Sequence, residues 1–219
     1  MTREEILRRA KPILFNTEMV RAILDGKKTV TRRVIKNGNR TPANVGRDKF
    51  YTYVDALNGK PFCGAGFYKD SDIFYVDGVV HTDAEYFKMP YKAGDILYVR
   101  ETFNADWCDH TIYKADGGSA KEAGYSAEPK WRPSIHMPKE AARVFLRVTD
   151  VRAERLNEIT EEQAKAEGAK AYRQNNCNGT SARIAFAEIW DKTVSEKQYE
   201  FLSNPWVWAY EFERLEGAK

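Results

Sequence analysis

Residues 26–33 read Gly-Lys-Lys-Thr-Val-Thr-Arg-Arg, placing four cations and two hydroxyls behind a glycine where an amphipathic stretch gives way to a β-branched run. The chemistry open to such types is specific. A hydroxyl becomes a nucleophile when a neighbouring amine or carboxylate takes its proton, and a guanidinium holds phosphate. Upstream, Glu18, Met19, Ala22 and Ile23 keep helical spacing and Gly26 supplies the stop. The following residues, 29–35, read as a strand, with Thr29, Thr31 and Arg33 on one side and Val30, Arg32 and Val34 on the other. Spacing alone makes this a basic turn with solvated charges, in which Lys28 caps helix carbonyls and Thr31 serves β-propensity.

Other residues suit binding. Arg33 and Arg100 could take phosphate, and Glu101 the exocyclic amino group of a base, with ion pairing between strands as the plainer account. Trp131, Arg132, Ser134 and His136 lie in a proline-bounded extended segment whose ring and guanidinium could sandwich an unpaired base; Trp131 could equally plug one end of the fold, and a structural His136 is favoured over a catalytic one. Asp106, Cys108, Asp109 and His110 lack a second Cys/His pair at ligand spacing and read as a polar loop, so neither a metal nor a cofactor is expected. Cys63, Cys108 and Cys177 are odd in number and far apart, and read as reduced thiols.

The whole chain bounds these options. It has 219 residues, 42% hydrophobic and 13% aromatic, enough for a core without staples. A net charge of +3 gives no global field for nonspecific nucleic-acid binding, so any such role falls to local patches at residues 27–33 or 143–155. No apolar run approaches the roughly 20 residues that span a bilayer, and residues 1–11 lack the apolar centre of a secretory signal. A cytoplasmic protein without membrane contact is expected.

The elements that must position the candidates follow from pattern. Residues 11–15 read as a strand and 16–25 as a helix capped by Asn16 or Thr17. Residues 37–90 carry two turn signals, Asn58-Gly59 and Asp77-Gly78, and read as an insertion within a single domain spanning 1–219, either hairpins laid on the barrel or a lid over the site. Residues 95–101, 111–114 and 143–152 read as strands, with 114–132 a mobile loop between the last two; in the third, Val144, Leu146 and Val148 face the core. Thr160 and Gln163 form a capping box for a helix stopped by Gly168. A further helix carries Ile184, Phe186, Ile189 and Trp190, and a last strand from Trp206 lines Trp206, Trp208, Tyr210 and Phe212 along one face as core. Strands without alternating βα repeats predict an α+β protein with a small, mostly antiparallel barrel decorated by short helices.

The pattern Gly26, Lys28, Thr31 and Arg33 resembles the signature of the ASCH family, a branch of the PUA-like superfamily of small β-barrel domains linked to RNA. Residues 91–101, with their Gly94-Asp95 turn into a strand, residues 159–168, and the closing strand 206–215 sit where such a protein carries them. Together with residues 131–138, they make the chain most similar to longer ASCH proteins of phage and prophage genomes. The resemblance implies a PUA-like fold and, as partner, RNA or a modified nucleoside. It also implies a site: the lysine, threonine and glutamate used by amidohydrolases of N-acetylated cytidine fall on Lys28, Thr31 and Glu167. Thr31 would be nucleophile or water-positioner, Lys28 base or oxyanion partner, and Glu167 a proton shuttle, since the last turn of a helix disfavours negative charge. A lysine acting as base must be neutral, which burial or the cations Lys27, Arg32 and Arg33 would favour. Singly, each residue has a plain account; Glu167 could be an exposed helix glutamate near Lys170. The family also includes apparent ribonucleases, and a phage accessory protein that binds protein partners is the non-catalytic alternative. Arg32 after Thr31, where family members have an apolar residue, is a departure, as is the chain's doubled length.

Overall fold

In the computed structural model the described residues are 1–36, 49–55, 62–68, 73–76, 79–82, 85–107, 110–117, 130–171 and 181–216. The predicted Asn58-Gly59 and Asp77-Gly78 turns, Cys108, Asp109 and Cys177 lie outside them. In chain order the elements are α1 (Arg3–Arg9), β1 (Lys11–Leu14), α2 (Thr17–Leu24), β2 (Val30–Val34), β3 (Lys49–Asp55), β4 (Phe62–Tyr68), β5 (Ile73–Val76) and β6 (Val79–Thr82). They continue with β7 (Glu85–Lys88), β8 (Ile96–Arg100), β9 (Phe103–Trp107), β10 (His110–Tyr113), β11 (Phe145–Arg155), α3 (Glu161–Ala166), α4 (Ala182–Asp191) and β12 (Trp206–Arg214).

The protein is α+β. Its main sheet has the strand order β1-β8-β11-β12-β2. Only the β1–β8 pair is parallel; β8–β11, β11–β12 and β12–β2 are antiparallel. The two strands at the ends of that order meet through a side chain, because Arg33 of β2 donates from NH2 to the Leu14 carbonyl of β1 at 3.0 Å. β3, β4 and β7 form a second, antiparallel sheet, while β5–β6 and β9–β10 are two-stranded.

Local chemistry explains the ends of the site-bearing elements. Asn16 caps α2, its Oδ1 accepting from the Met19 N–H at 2.8 Å. The helix is closed by Lys27 and Lys28 amides on the Ala22 carbonyl, and Gly26 adopts φ +70°, where a side chain would be strained. Thr160 and Gln163 form the expected capping box on α3. A box of the same kind, Thr2 with Glu5, starts α1, an element that the charged N-terminus hid from the pattern.

The largest core cluster joins Ile13, Phe15, Val20, Ile23, Leu97, Leu146 and Val148 to the predicted stripe of Trp206, Trp208, Tyr210 and Phe212. Phe87 of β7 is buried in the same cluster. The strand over 143–152 starts later and runs on to Arg155, with a bulge between Val148 and Asp150. Phe145, on the opposite face of that strand from Leu146, is buried in a second cluster with Ile6, Tyr98, Phe103 and Met137. Among the described residues, no helix is long and apolar enough to cross a membrane.

Candidate functional site

Two backbone contacts bring the end of α3 against the mouth of β2. The Thr29 N–H donates to the Ala166 carbonyl at 2.8 Å, and Lys28 and Glu167 form an isolated antiparallel bridge. Gly168 makes this approach possible. Its φ is +89°, and a Cβ there would stand 3.1 Å from the Ala22 Cβ and 3.6 Å from the Lys28 Cβ.

The three residues singled out by the resemblance are thereby gathered, and all are buried. Lys28 Nζ donates to Glu167 Oε2 at 2.6 Å, to the Glu167 carbonyl at 2.9 Å and to the Val30 carbonyl at 2.8 Å. These acceptors match the three N–H bonds of an ammonium. Burial pulls the Lys28 pKa below the ordinary lysine range against the attraction of Glu167, and Arg33 and Arg32 add smaller pushes the same way. Lys27, expected to help, instead turns outward and pairs with Asp25 at 2.6 Å.

Glu167 Oε1 meets a second cation, Arg32 NH1, at 3.1 Å. Arg32 is also fully buried, and its Nε donates to Glu154 Oε1 on β11 at 2.7 Å. Its guanidinium carbon lies 5.9 Å from the Phe186 ring centroid. The departure from an apolar residue after Thr31 is thus one of four members of a largely buried ion network, Lys28–Glu167–Arg32–Glu154. Sequence reading left Arg32 as an oddity because both counter-charges arrive from distant segments.

Thr31 and Arg33 share a face of β2, as the strand period predicts. Arg33 NH1 donates to Thr31 Oγ1 at 2.9 Å and to the Arg32 carbonyl at 2.9 Å. The Arg33 guanidinium lies 5.3 Å from the Phe15 ring centroid. Its pKa is drawn down chiefly by burial, yet arginine remains cationic at any working pH. Opposite Thr31 on β12 stands Tyr210, whose ring meets Tyr91 edge-on at 5.2 Å.

A cleft of about 640 Å³ opens over these groups, lined at its base by Thr31, Arg32, Arg33, Glu167, Tyr91 and Tyr210. Its other wall comes from α4 and the turns that follow, through Phe186, Trp190 and Tyr199. Lys28 does not line it, being screened behind Glu167. Tyr210, Trp190 and Tyr199 were read as core or not read at all, because an aromatic at strand or helix spacing gives no sign that one edge borders a cleft.

The remaining binding candidates lie outside this lining. Arg100 pairs in register with Leu14, a residue of the cleft rim, and its guanidinium donates to the Ile135 carbonyl. That contact sets the segment with Trp131, Arg132 and His136 beside the end of β8. Arg132 and His136 are exposed and Trp131 is half-buried. Arg132 also bridges Phe103 of β9 through the backbone. Glu101 is buried, and both its oxygens are held by Arg143, Nε at 2.9 Å and NH2 at 3.0 Å. Burial raises its pKa and Arg143 opposes the rise.

No protein-family model matches this chain, and no curated protein does. Among solved structures, the crystal structure of a protein of Enterococcus faecalis described as DUF984 is similar at 10% identity with a TM-score of 0.36. That alignment covers 89% of this chain and 65% of the other, so the chain spans just under two thirds of that protein's length. A likeness at this level carries no argument about fold or function.

Proposed function

We propose that the cleft binds a modified nucleoside, free or within RNA, and that Glu167 with Thr31 and Arg33 hydrolyses an acyl amide on its base, as in an N-acetylated cytidine. The observation that carries this reading is the Glu167 carboxylate, held between Lys28 and Arg32 and still bordering the cleft that Thr31 also lines. A carboxylate fixed in this way is a base whose geometry costs nothing to organise when substrate arrives. Aromatic side chains on both walls suit a nucleobase, and Lys36 suits its phosphate.

The reaction balances simply. Water adds to the acyl carbon as Glu167 takes its proton, Arg33 faces the oxyanion that develops, and the C–N bond breaks as the proton passes to the leaving nitrogen. The products are a carboxylic acid and the free amine. Thr31 Oγ1 already accepts from Arg33, which suits it to positioning water rather than to attacking. Lys28, shut off from the cleft, holds the carboxylate in place across 2.6 Å.

The same chain is read as a PUA-like barrel and as one domain with residues 37–90 inserted. The mostly antiparallel sheet and the Arg33–Leu14 bond between its terminal strands support the first; Phe87, buried in the main core from within the insert, supports the second.

A binding module without chemistry is the second reading, favoured by the complete pairing of the Lys28 ammonium. One assay separates the two. Acetate release from N4-acetylcytidine should be measurable for wild type and fall about a hundredfold or more in Glu167→Gln, with folding checked by circular dichroism. Binding of N4-acetylcytidine without any acetate release would establish the binding module, and neither binding nor release would sink both readings.

A further inference from the structure

Tyr210 is fully buried, and its ring belongs to the main core with Phe15, Trp208 and Phe212. Its hydroxyl is nevertheless without a hydrogen-bond partner. The Tyr91 backbone lies beside it without completing a hydrogen bond. A phenol in such a position loses its contact with water and gains no hydrogen bond in return. Native interiors rarely leave such a group unpaired unless something else completes it.

The position of this hydroxyl is informative. Tyr210 sits directly across from Thr31 in the β12–β2 register, so the two side chains share a face of the sheet, and both line the cleft. Arg33 is on that face too and lies near enough to Tyr91 and Tyr210 to be influenced by both. The Tyr91 hydroxyl is already spent on the Pro12 carbonyl at 2.6 Å, and Arg33 gives three of its five N–H bonds to Thr31, Arg32 and Leu14. Tyr210 thus brings to the cleft base a donor with no other employment.

Resting on the reading of this cleft as a ligand site, we infer that Tyr210 is a ligand-binding residue, its hydroxyl donating to a carbonyl or phosphoryl oxygen of the bound molecule beside Arg33. Burial raises the phenol's pKa strongly, so it remains a donor throughout the physiological range. A neutral O–H beside a guanidinium discriminates by geometry where the cation alone attracts any anion, and a ligand lacking the acceptor would leave the phenol unpaired.

Tyr210→Phe tests this because it separates stability from binding. With no ligand, deleting an unsatisfied hydroxyl should leave the melting temperature unchanged or raise it. Affinity, titrated with N4-acetylcytidine, cytidine 5′-monophosphate and inorganic phosphate, should fall about tenfold for whichever probe the wild type binds. Equal affinity in the variant, or a melting temperature several degrees lower, overturns the inference, because the hydroxyl is then idle or already satisfied. Should the variant not fold, the 13C chemical shift of the Tyr210 Cζ in wild type decides: a shift on saturation supports the hydrogen bond and none refutes it. Phosphate binding that weakens in the variant, without binding of either nucleoside, keeps the role of Tyr210 and removes the nucleoside reading. Wild type that binds none of the three overturns both.

Discussion

Lys28 Nζ stands 2.6 Å from Glu167 Oε2, although 139 residues separate the two in sequence, and neither side chain has more than 5% of its surface in water. Two charges taken out of water recover their hydration only from each other and from the hydrogen bonds around them. Removing one partner is therefore far worse than removing both. Lys28→Met should cost about 3–5 kcal/mol in urea denaturation, since it leaves Glu167 with Arg32 alone. Lys28→Met combined with Glu167→Leu should recover much of that loss, and a double variant no more stable than the single would show that the pair is not the unit holding α3 to β2.

Gly168 is the hinge of the same contact. At φ +89°, with the Ala22 Cβ only 3.1 Å from where its own Cβ would be, Gly168→Ala meets backbone strain and a clash together. The expected cost is about 1–3 kcal/mol, read as a lower urea midpoint. Because Glu167 precedes it directly, the variant should also lose acetate-releasing activity by more than its folded fraction explains. Gly26 has a comparable φ of +70° with nothing within 4 Å, so Gly26→Ala should cost stability and spare the site.

How much of this was legible in the chain depends on distance along it. The α2–Gly26–β2 turn and the Thr160–Gln163 capping box are local chemistry, and both formed where the pattern put them. The face shared by Thr31 and Arg33 follows from the strand period alone. Arg32 and Glu101 were opaque, because nothing nearby hints that each would be buried against a partner. Glu154 reaches Arg32 only through the β11–β12–β2 pairing, and Arg143 comes to Glu101 from 42 residues away. β9 is hard to see in the sequence although Phe103, Ala105 and Trp107 alternate with Asn104 and Asp106, because the run is short and Asn, Ala and Asp are poor strand formers. Tyr210 was read correctly as core and incompletely, since its ring and its hydroxyl serve different neighbours.

The phenols give a prediction in alkali. Burial raises the pKa of Tyr91, Tyr113 and Tyr210 above the usual value of 10.0. When the folded pKa lies above the unfolded one, the native state holds its proton longer, and the stability that this contributes is present below pH 10 and lost as pH rises beyond it. The 295 nm absorbance of the native protein should therefore rise later than that of the urea-unfolded chain. Coincident titrations would contradict the burial of these rings.

Glu101 and Arg143 form a closed pair, whereas Trp131, Arg132 and His136 lie beside the end of β8, next to Leu14 at the cleft edge. An oligonucleotide whose modified base occupies the cleft would extend over that edge, where an exposed guanidinium and a half-exposed indole can hold the neighbouring phosphate and base. Arg132→Ala and Trp131→Ala should weaken a short RNA carrying N4-acetylcytidine by about tenfold or more each, on the scale of a lost stacking contact, and leave the free nucleoside unaffected. Glu101→Gln should change the urea midpoint and neither affinity. Equal losses for nucleoside and RNA in the rim variants would place Trp131 and Arg132 in the support of the cleft, and no loss for either ligand would confine recognition to the cleft itself.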